Sequence, residues 1–173
     1  LGYKTVSTNP CGEIPLCAYD SCRLLAINLF SYVDKPFTNK ANFNWTLFKS
    51  HVGIAQRLMD DIIDLELEKI DNILQKIAAD PEDDEVKRIE YNLWKSIRHK
   101  AKEGRRTGIG ITAEGDMLAA LGLRYGSEEA TELSVEVHKT LAIEAYRGSV
   151  ACAKDRGAFG IYDAEREKNN PFM

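Results

Sequence analysis

Apolar and polar positions recur along this chain in two periods. Residues 3–7 (YKTVS) alternate with a period of two and are rich in β-formers, which predicts a short strand. The apolar run over 23–33 (RLLAINLFSYV) predicts a buried strand. From residue 44 the period lengthens. Leu47, Phe48, Ile54, Ala55, Leu58, Met59, Ile62 and Ile63 recur at steps of three and four, and Leu65, Ile70, Ile73, Leu74 and Ile77 continue them. This predicts an amphipathic helix over about 44–78, whole or broken near Asp64. Asn44 is its candidate N-cap, and Pro81 disfavours helix at Asp80. Further helices are expected over about 83–103, 113–121 and 127–156. Gly104, Gly122 and Gly157 are their stops, and Ser127 caps the last. Residues 105–112 and 158–162 read as short strands. Trp45, Phe48 and Trp94 are expected in the core. Alternating strands and helices imply an α/β chain with parallel strands, helix-rich and with few strands. Neither repeat nor linker interrupts it, so residues 1–173 read as a single segment.

Composition narrows the function classes. The chain is 44% hydrophobic and 29% charged, enough to bury a core and stay soluble. Its net charge is -4, which argues against a protein that coats nucleic acid. No apolar run reaches the roughly 18 residues of a membrane span. The first residues lack a basic segment followed by an apolar stretch, so no signal peptide is read and a cytoplasmic location is expected. The absence of an initiator Met suggests that the chain begins inside a longer product.

Three of the four cysteines (Cys11, Cys17 and Cys22; the fourth is Cys152) fall within twelve residues, at spacings that match neither a zinc nor a thioredoxin pattern. His51, His99 and His138 lie far away, so no local metal cluster is written and no metal ligand is expected. Four cysteines in 173 residues make a disulfide scaffold unexpected. They are inert small hydrophobes or working thiols in a reducing compartment.

The loop at Asn9-Pro10-Cys11-Gly12-Glu13 carries the candidate chemistry. In an extended segment, residues two apart face one side, which would bring the Asn9 amide, the Cys11 thiol and the Glu13 carboxylate together. Pro10 and Gly12 favour a tight tip that a ligand can approach. An amide and a carboxylate can bind adjacent hydroxyls of a polyol such as a ribose, and the carboxylate can accept a proton. The simpler account makes Asn9 and Glu13 ordinary turn residues and Cys11 filler.

Residues 9–16 (NPCGEIPL) resemble the active-site finger loop of the ribonucleotide reductase large chain, most closely its adenosylcobalamin-dependent class. The resemblance continues through residues 19–22 (YDSC), Asn28-Leu29, residues 57–61 (RLMDD), residues 104–110 (GRRTGIG) and residues 153–159 (AKDRGAF). It implies the middle of a ten-stranded α/β barrel with the finger loop at 8–16. It implies that Cys11 becomes a thiyl radical and takes the ribose 3′-hydrogen. Glu13 would take the 3′-hydroxyl proton, and Asn9 would bind the ribose hydroxyls, within a substrate loop of Asn9, Pro10, Cys11, Gly12 and Glu13. Cys22 sits where the family keeps one of two reducing cysteines, whose partner lies upstream of the loop. The expected companions are a ribonucleoside di- or triphosphate, adenosylcobalamin, the remaining segments of the reductase and a thioredoxin-like reductant. Neither nucleic acid nor membrane is an expected partner, and the isolated segment is expected to be inactive. Cys17 and Cys152 have no family role and read as structural.

Weaker signals have plainer accounts. Residues 108–113 match G-x-G-x-x-A, where close strand-to-helix packing competes with dinucleotide binding. Arg105-Arg106 suit phosphate or salt bridges. Residues 80–85 read as an acidic helix start rather than a cation site. Asp60, Asp61, Asp64, Glu66 and Glu68 read as a polar helix face, since no E-x-x-H accompanies them. Two rival functions remain open: a non-catalytic helical interaction module, and a thiol redox or metal-binding module.

Overall fold

The computed structural model describes residues 4–21 and 23–171. In chain order its elements are β1 (Thr5–Thr8), β2 (Pro15–Cys17), β3 (Leu24–Asn28), a 3₁₀ turn (Leu29–Tyr32), β4 (Val33–Asp34), β5 (Asn42–Phe43), α1 (Trp45–Ala79), α2 (Asp84–Gly104), β6 (Gly108–Thr112), α3 (Glu114–Ala120), α4 (Glu128–Arg156) and α5 (Ala164–Glu167). The chain is mixed α/β and helix-rich. Its described strands form three two-stranded sheets rather than a closed barrel. No helix among the described residues is long and apolar enough to cross a membrane. The chain divides into two compact units, one of residues 24–59 and 108–155, the other of residues 1–23, 60–107 and 156–173.

In the first unit β3 lies parallel to β6, from Leu24 opposite Gly108 to Asn28 opposite Thr112. The expected buried strand over 23–33 is shorter and more exposed than its apolar run implies. Within β3 only Ile27 is buried. Asn28 ends the strand, because its side chain accepts a hydrogen bond from Phe30 N and caps the 3₁₀ turn. With β6 as its one ladder partner among the described residues, β3 keeps much of its apolar surface in water.

Asn44 opens α1 as a cap, its Oδ1 accepting from Leu47 N at 3.1 Å. Phe48, Val52 and Ala55 are buried in a core shared with Leu29, Tyr32, Phe43, Met117 and Val137. Phe48 meets Tyr32 and Phe43 edge-on, with centroids 5.2 and 5.3 Å apart. Trp45 is half-buried against this core. Leu47, Ile54 and Leu58, on the neighbouring helix face, are exposed. Cys152 is half-buried rather than in the core. It lines a shallow groove between α1 and α4 with Lys49, Gly53, Arg57, Glu144 and Gly148.

Those two helices pack tightly at Gly148. A Cβ there would stand 2.9 Å from Gln56 Cβ and 3.4 Å from Gly53 O, whereas one on Gly53 would meet nothing within 4 Å. The two substitutions should therefore differ in sign. Gly53→Ala gains about 1 kcal/mol of helix propensity. Gly148→Ala gains the same but incurs about 1–3 kcal/mol of overpacking, so its midpoint in urea denaturation should fall. Equal gains at both positions would refute the close approach.

In the second unit the C-terminal half of α1 buries Ile63, Ile70 and Ile77. The helix runs unbroken through Asp64, whose side chain points into ion pairs instead of breaking the backbone. Asp83 caps α2 by accepting from Glu85 N, and Asp84 and Glu85 occupy its first turn, where acids complement the helix dipole. Gly104 is not the αL stop. It is the last helical residue, and Arg105 takes the αL position at φ 41° with its N–H on Ala101 O. Trp94 is half-buried. Residues 158–162 are not a strand. Gly157, at φ +85°, ends α4, and Tyr162 N donates to Phe159 O in a turn. A lone backbone bond, Ile161 N to Glu103 O at 3.1 Å, replaces a ladder.

Arg98 fastens α2 to α1 through both oxygens of Asp71, at 2.6 and 2.9 Å. Those hydrogen bonds hold the Asp71 carboxyl below its ordinary 3.8. A lowered folded-state value means the fastening is complete above pH 3.8 and is lost as pH falls below it. Carboxyl NMR titration should place the Asp71 midpoint below 3.8, and Arg98→Gln should return it there.

Candidate functional site

β1 and β2 form an antiparallel hairpin with Thr8 opposite Pro15 and Thr5 opposite Cys17, and a bulge between Thr5 and Ser7. The loop at its tip is ordered by Asn9. Asn9 is only 4% exposed. Its Oδ1 accepts from Ile14 N at 2.8 Å, and its own N–H donates to Ile14 O at 3.1 Å. Its carbonyl accepts from Gly12 N at 2.9 Å, closing a four-residue turn. Asn and Pro are favoured at the first two positions of such a turn, and Pro10 presets its φ. The φ of Gly12 is +82°, which a side chain would strain.

This turn changes the geometry expected from the sequence. The loop is not extended at 9–12, so alternation does not put Asn9, Cys11 and Glu13 on one side. Asn9 is buried as the loop's brace, while Cys11 and Glu13 are exposed at the tip. The space beside Gly12 is open, with nothing within 4 Å of a Cβ position. Cys17 is buried in β2 at the hairpin base. Cys22, the expected redox cysteine, lies outside the described residues. Cys11, Cys17 and Cys152 are not in disulfides. No cluster of metal-binding side chains occurs among the described residues.

The hairpin is anchored at its foot. Asp20, with a side chain 7% exposed, accepts from Arg106 Nε at 2.8 Å. Arg23 forks onto Glu66 of α1, one arm at 2.8 Å, and donates to the Arg106 carbonyl at 3.1 Å. One turn away, Arg105 donates to Asp60 at 2.6 Å, to Asp64 at 2.8 Å and to the Asp60 carbonyl at 2.9 Å. Burial pulls the Arg105 pKa down, but its hydrogen bonds to Asp60 and Asp64 outweigh that and the net shift is upward. Arg156 joins Asp60, Asp61 and Asp64. Its pKa is also raised, first by the hydrogen bond to Asp61. The paired arginines are thus salt-bridged rather than poised for phosphate, and much of the acidic face of α1 is their counter-charge. Arg23 and Asp20 were not singled out as anchors by sequence reasoning. The available signal was the coincidence of an Arg-Arg pair with carboxylates at steps of one, three and two along α1.

The G-x-G-x-x-A stretch does not build a dinucleotide site. β6 leads to a helix of seven residues, with Ala113 in the αL conformation at φ 59° in its N-cap position. Beside Gly110 the space is open, so close packing is not its purpose either.

An exposed thiol and carboxylate thus stand at the tip of an anchored hairpin in a mixed, helix-rich α/β chain. The family model of the ribonucleotide reductase barrel domain matches residues 3–172, and the chain belongs to that family. It is 31% identical over 160 residues to the vitamin B12-dependent ribonucleoside-diphosphate reductase of Mycobacterium tuberculosis, covering 92% of this chain and 19% of that protein. It is 31% identical over 163 residues to the reductase of the same name from Thermoplasma acidophilum, covering 94% and 18%. With the ribonucleoside-diphosphate reductase subunit alpha of Chlamydia pneumoniae the identity is 26% over 163 residues, covering 92% and 13%. The chain spans about a fifth of the length of the B12-dependent relatives.

Proposed function

We propose that this chain is a segment of the catalytic barrel of a ribonucleotide reductase and carries its radical-bearing loop. One observation carries the reading: the N-P-C-G-E motif forms a braced turn that leaves the Cys11 thiol and the Glu13 carboxylate each exposed at the tip. In the whole enzyme a Cys11 thiyl radical abstracts the ribose 3′-hydrogen. Glu13 takes the 3′-hydroxyl proton and helps expel the 2′-hydroxyl as water. Two thiols, Cys22 and one from another segment, then supply two electrons and close to a disulfide. Cys11 finally returns the hydrogen to C3′. Asn9 spends its Oδ1 on the loop, which leaves its Nδ2 to donate to a ribose oxygen.

Adenosylcobalamin would supply the oxidising equivalent for the Cys11 radical, as the names of the 31% identical relatives suggest. The open tip fits a bulky group, since Cys11 is exposed and the space beside Gly12 is clear. The enzyme context includes a ribonucleoside di- or triphosphate substrate, a ten-stranded barrel completed by further segments, a thioredoxin-like reductant and a cytoplasmic setting. The test is reconstitution of this chain with the complementary segments of a relative, adenosylcobalamin, a ribonucleotide and a dithiol. Deoxyribonucleotide formed with Cys11 and not with Cys11→Ala is the expected result. Turnover that survives Cys11→Ala would overturn the reading.

A further inference from the structure

The hairpin that carries Cys11 and Glu13 takes little of its orientation from packing. All four residues of β1 are exposed, and β2 buries only Cys17. Each strand has the other as its one ladder partner among the described residues. A two-stranded hairpin with so little apolar cover is marginal by itself, so its orientation is set by what holds its ends.

At the foot the hold is ionic, buried and directional. Asp20 N donates to Cys17 O at 3.2 Å, which ties the Asp20 backbone to the last residue of β2. The Asp20 side chain uses both oxygens: Oδ1 accepts from Ser21 N at 2.9 Å, and Oδ2 from Arg106 Nε at 2.8 Å. The Arg106 carbonyl accepts from Arg23, whose guanidinium forks onto Glu66 of α1. The side chains of Asp20 and Arg23 are 7% and 6% exposed. A buried ion pair gains little stability over an apolar contact of the same volume, because desolvation offsets the attraction. What it supplies is direction, since each bond holds only near one distance and angle.

We infer, on the reading of Cys11 and Glu13 given above, that Asp20 and Arg106 are positioning residues for that loop: their ion pair fixes the tilt of the hairpin and so the place of the thiol at its tip. Both act through the hairpin rather than on the substrate. At about 3.3 Å per residue along β2 and the loop, the tip stands about 10–15 Å from the foot. A tilt of about 5° over that length moves the tip by about 1 Å, and a displacement of that size can cost about 10²-fold in rate.

Asp20→Asn in the reconstituted enzyme tests it. The variant keeps the shape and the acceptor for Ser21 N, but it turns an amide donor toward Arg106 Nε and so breaks the pair. The kcat per folded molecule should fall about 10–10²-fold with KM nearly unchanged. Arg106→Gln should do the same, and the double variant should fall no further than the worse single one, because all three lack the same pair. A C3′-deuterated ribonucleotide should show an isotope effect at least as large as with the unaltered enzyme, since a displaced thiol slows the hydrogen abstraction itself. Arg98→Gln, which breaks the Asp71 pair of the same unit, should leave kcat intact. Amide exchange at Ile14 should stay slow in Asp20→Asn, because the Asn9 brace is untouched. An Asp20→Asn enzyme within about twofold of normal kcat, with Cys11→Ala inactive, would overturn this inference alone. So would a rise in KM alone, a diminished isotope effect, or an equal loss in Arg98→Gln. Turnover that survives Cys11→Ala would instead overturn the reading of the loop beneath it.

Discussion

Cys11→Ala is expected to abolish deoxyribonucleotide formation in the reconstituted enzyme, and Glu13→Gln to lower kcat by about 10²–10⁴-fold. The first effect is the larger because no other described thiol can substitute. Cys17 is buried at the hairpin base, and Cys152 is half-buried in α4. Cys11→Ser should be equally inactive, since an alcohol surrenders its hydrogen atom far less readily than a thiol. Glu13→Gln keeps the shape and a hydrogen-bonding group but removes the proton acceptor. Its loss should therefore appear in kcat and leave KM nearly unchanged. Cys17→Ala is the internal control. It removes buried volume and lowers stability, but activity per folded molecule should persist. Single-turnover assays of these four variants would settle the assignment, and a Glu13→Gln enzyme of normal kcat would remove Glu13 from the chemistry.

Asp60→Ala should be the most destabilising surface-to-core charge change in the second unit, at about 2–3 kcal/mol. Asp60 is 8% exposed and accepts from Arg105 at 2.6 Å. Deleting it leaves a guanidinium whose side chain is 19% exposed with Asp64 as its one remaining carboxylate among the described residues. Breaking a fully buried pair costs about 3–5 kcal/mol, and partial exposure of Arg105 reduces that figure. Asp61→Ala should cost much less, because the Asp61 side chain is 45% exposed. Arg105 also holds the αL position that ends α2, a conformation that costs a non-glycine residue about 1 kcal/mol or more. Loss of Asp60 should therefore loosen the turn after α2 as well. Chemical denaturation gives the energies, and amide exchange at residues 104–107 reports the turn. Equal losses for Asp60→Ala and Asp61→Ala would show that the network acts only through surface charge.

The helices were legible because their signals are local. A step of three and four residues, an Asn cap at 44 and a Pro at 81 place α1 and the start of α2 to within a residue or two. Strand 158–162 was misread because a strand needs a ladder partner, and five suitable residues cannot say whether one is present. The stop at Gly104 was misread because its rival, Arg105, is held in αL by carboxylates some forty positions away in sequence. The loop at 9–13 shows the division most clearly. Its residue types and order were enough to name the chemistry, since a thiol, a carboxylate and an amide each have few uses in such company. Their placement was decided by a turn bond and a side-chain brace that an alternation rule does not contain.

The sequence by itself determined where helices form, which loop carries reactive groups and which family the chain resembles, because each rests on neighbours within a few positions. Only the tertiary structure decided that Asn9 is a brace, that the acidic row on α1 is the counter-charge of Arg105, Arg156 and Arg23, and that Asp20 meets Arg106 at the hairpin foot. The ion pairs depend on long-range pairing, where burial makes a charge seek its partner.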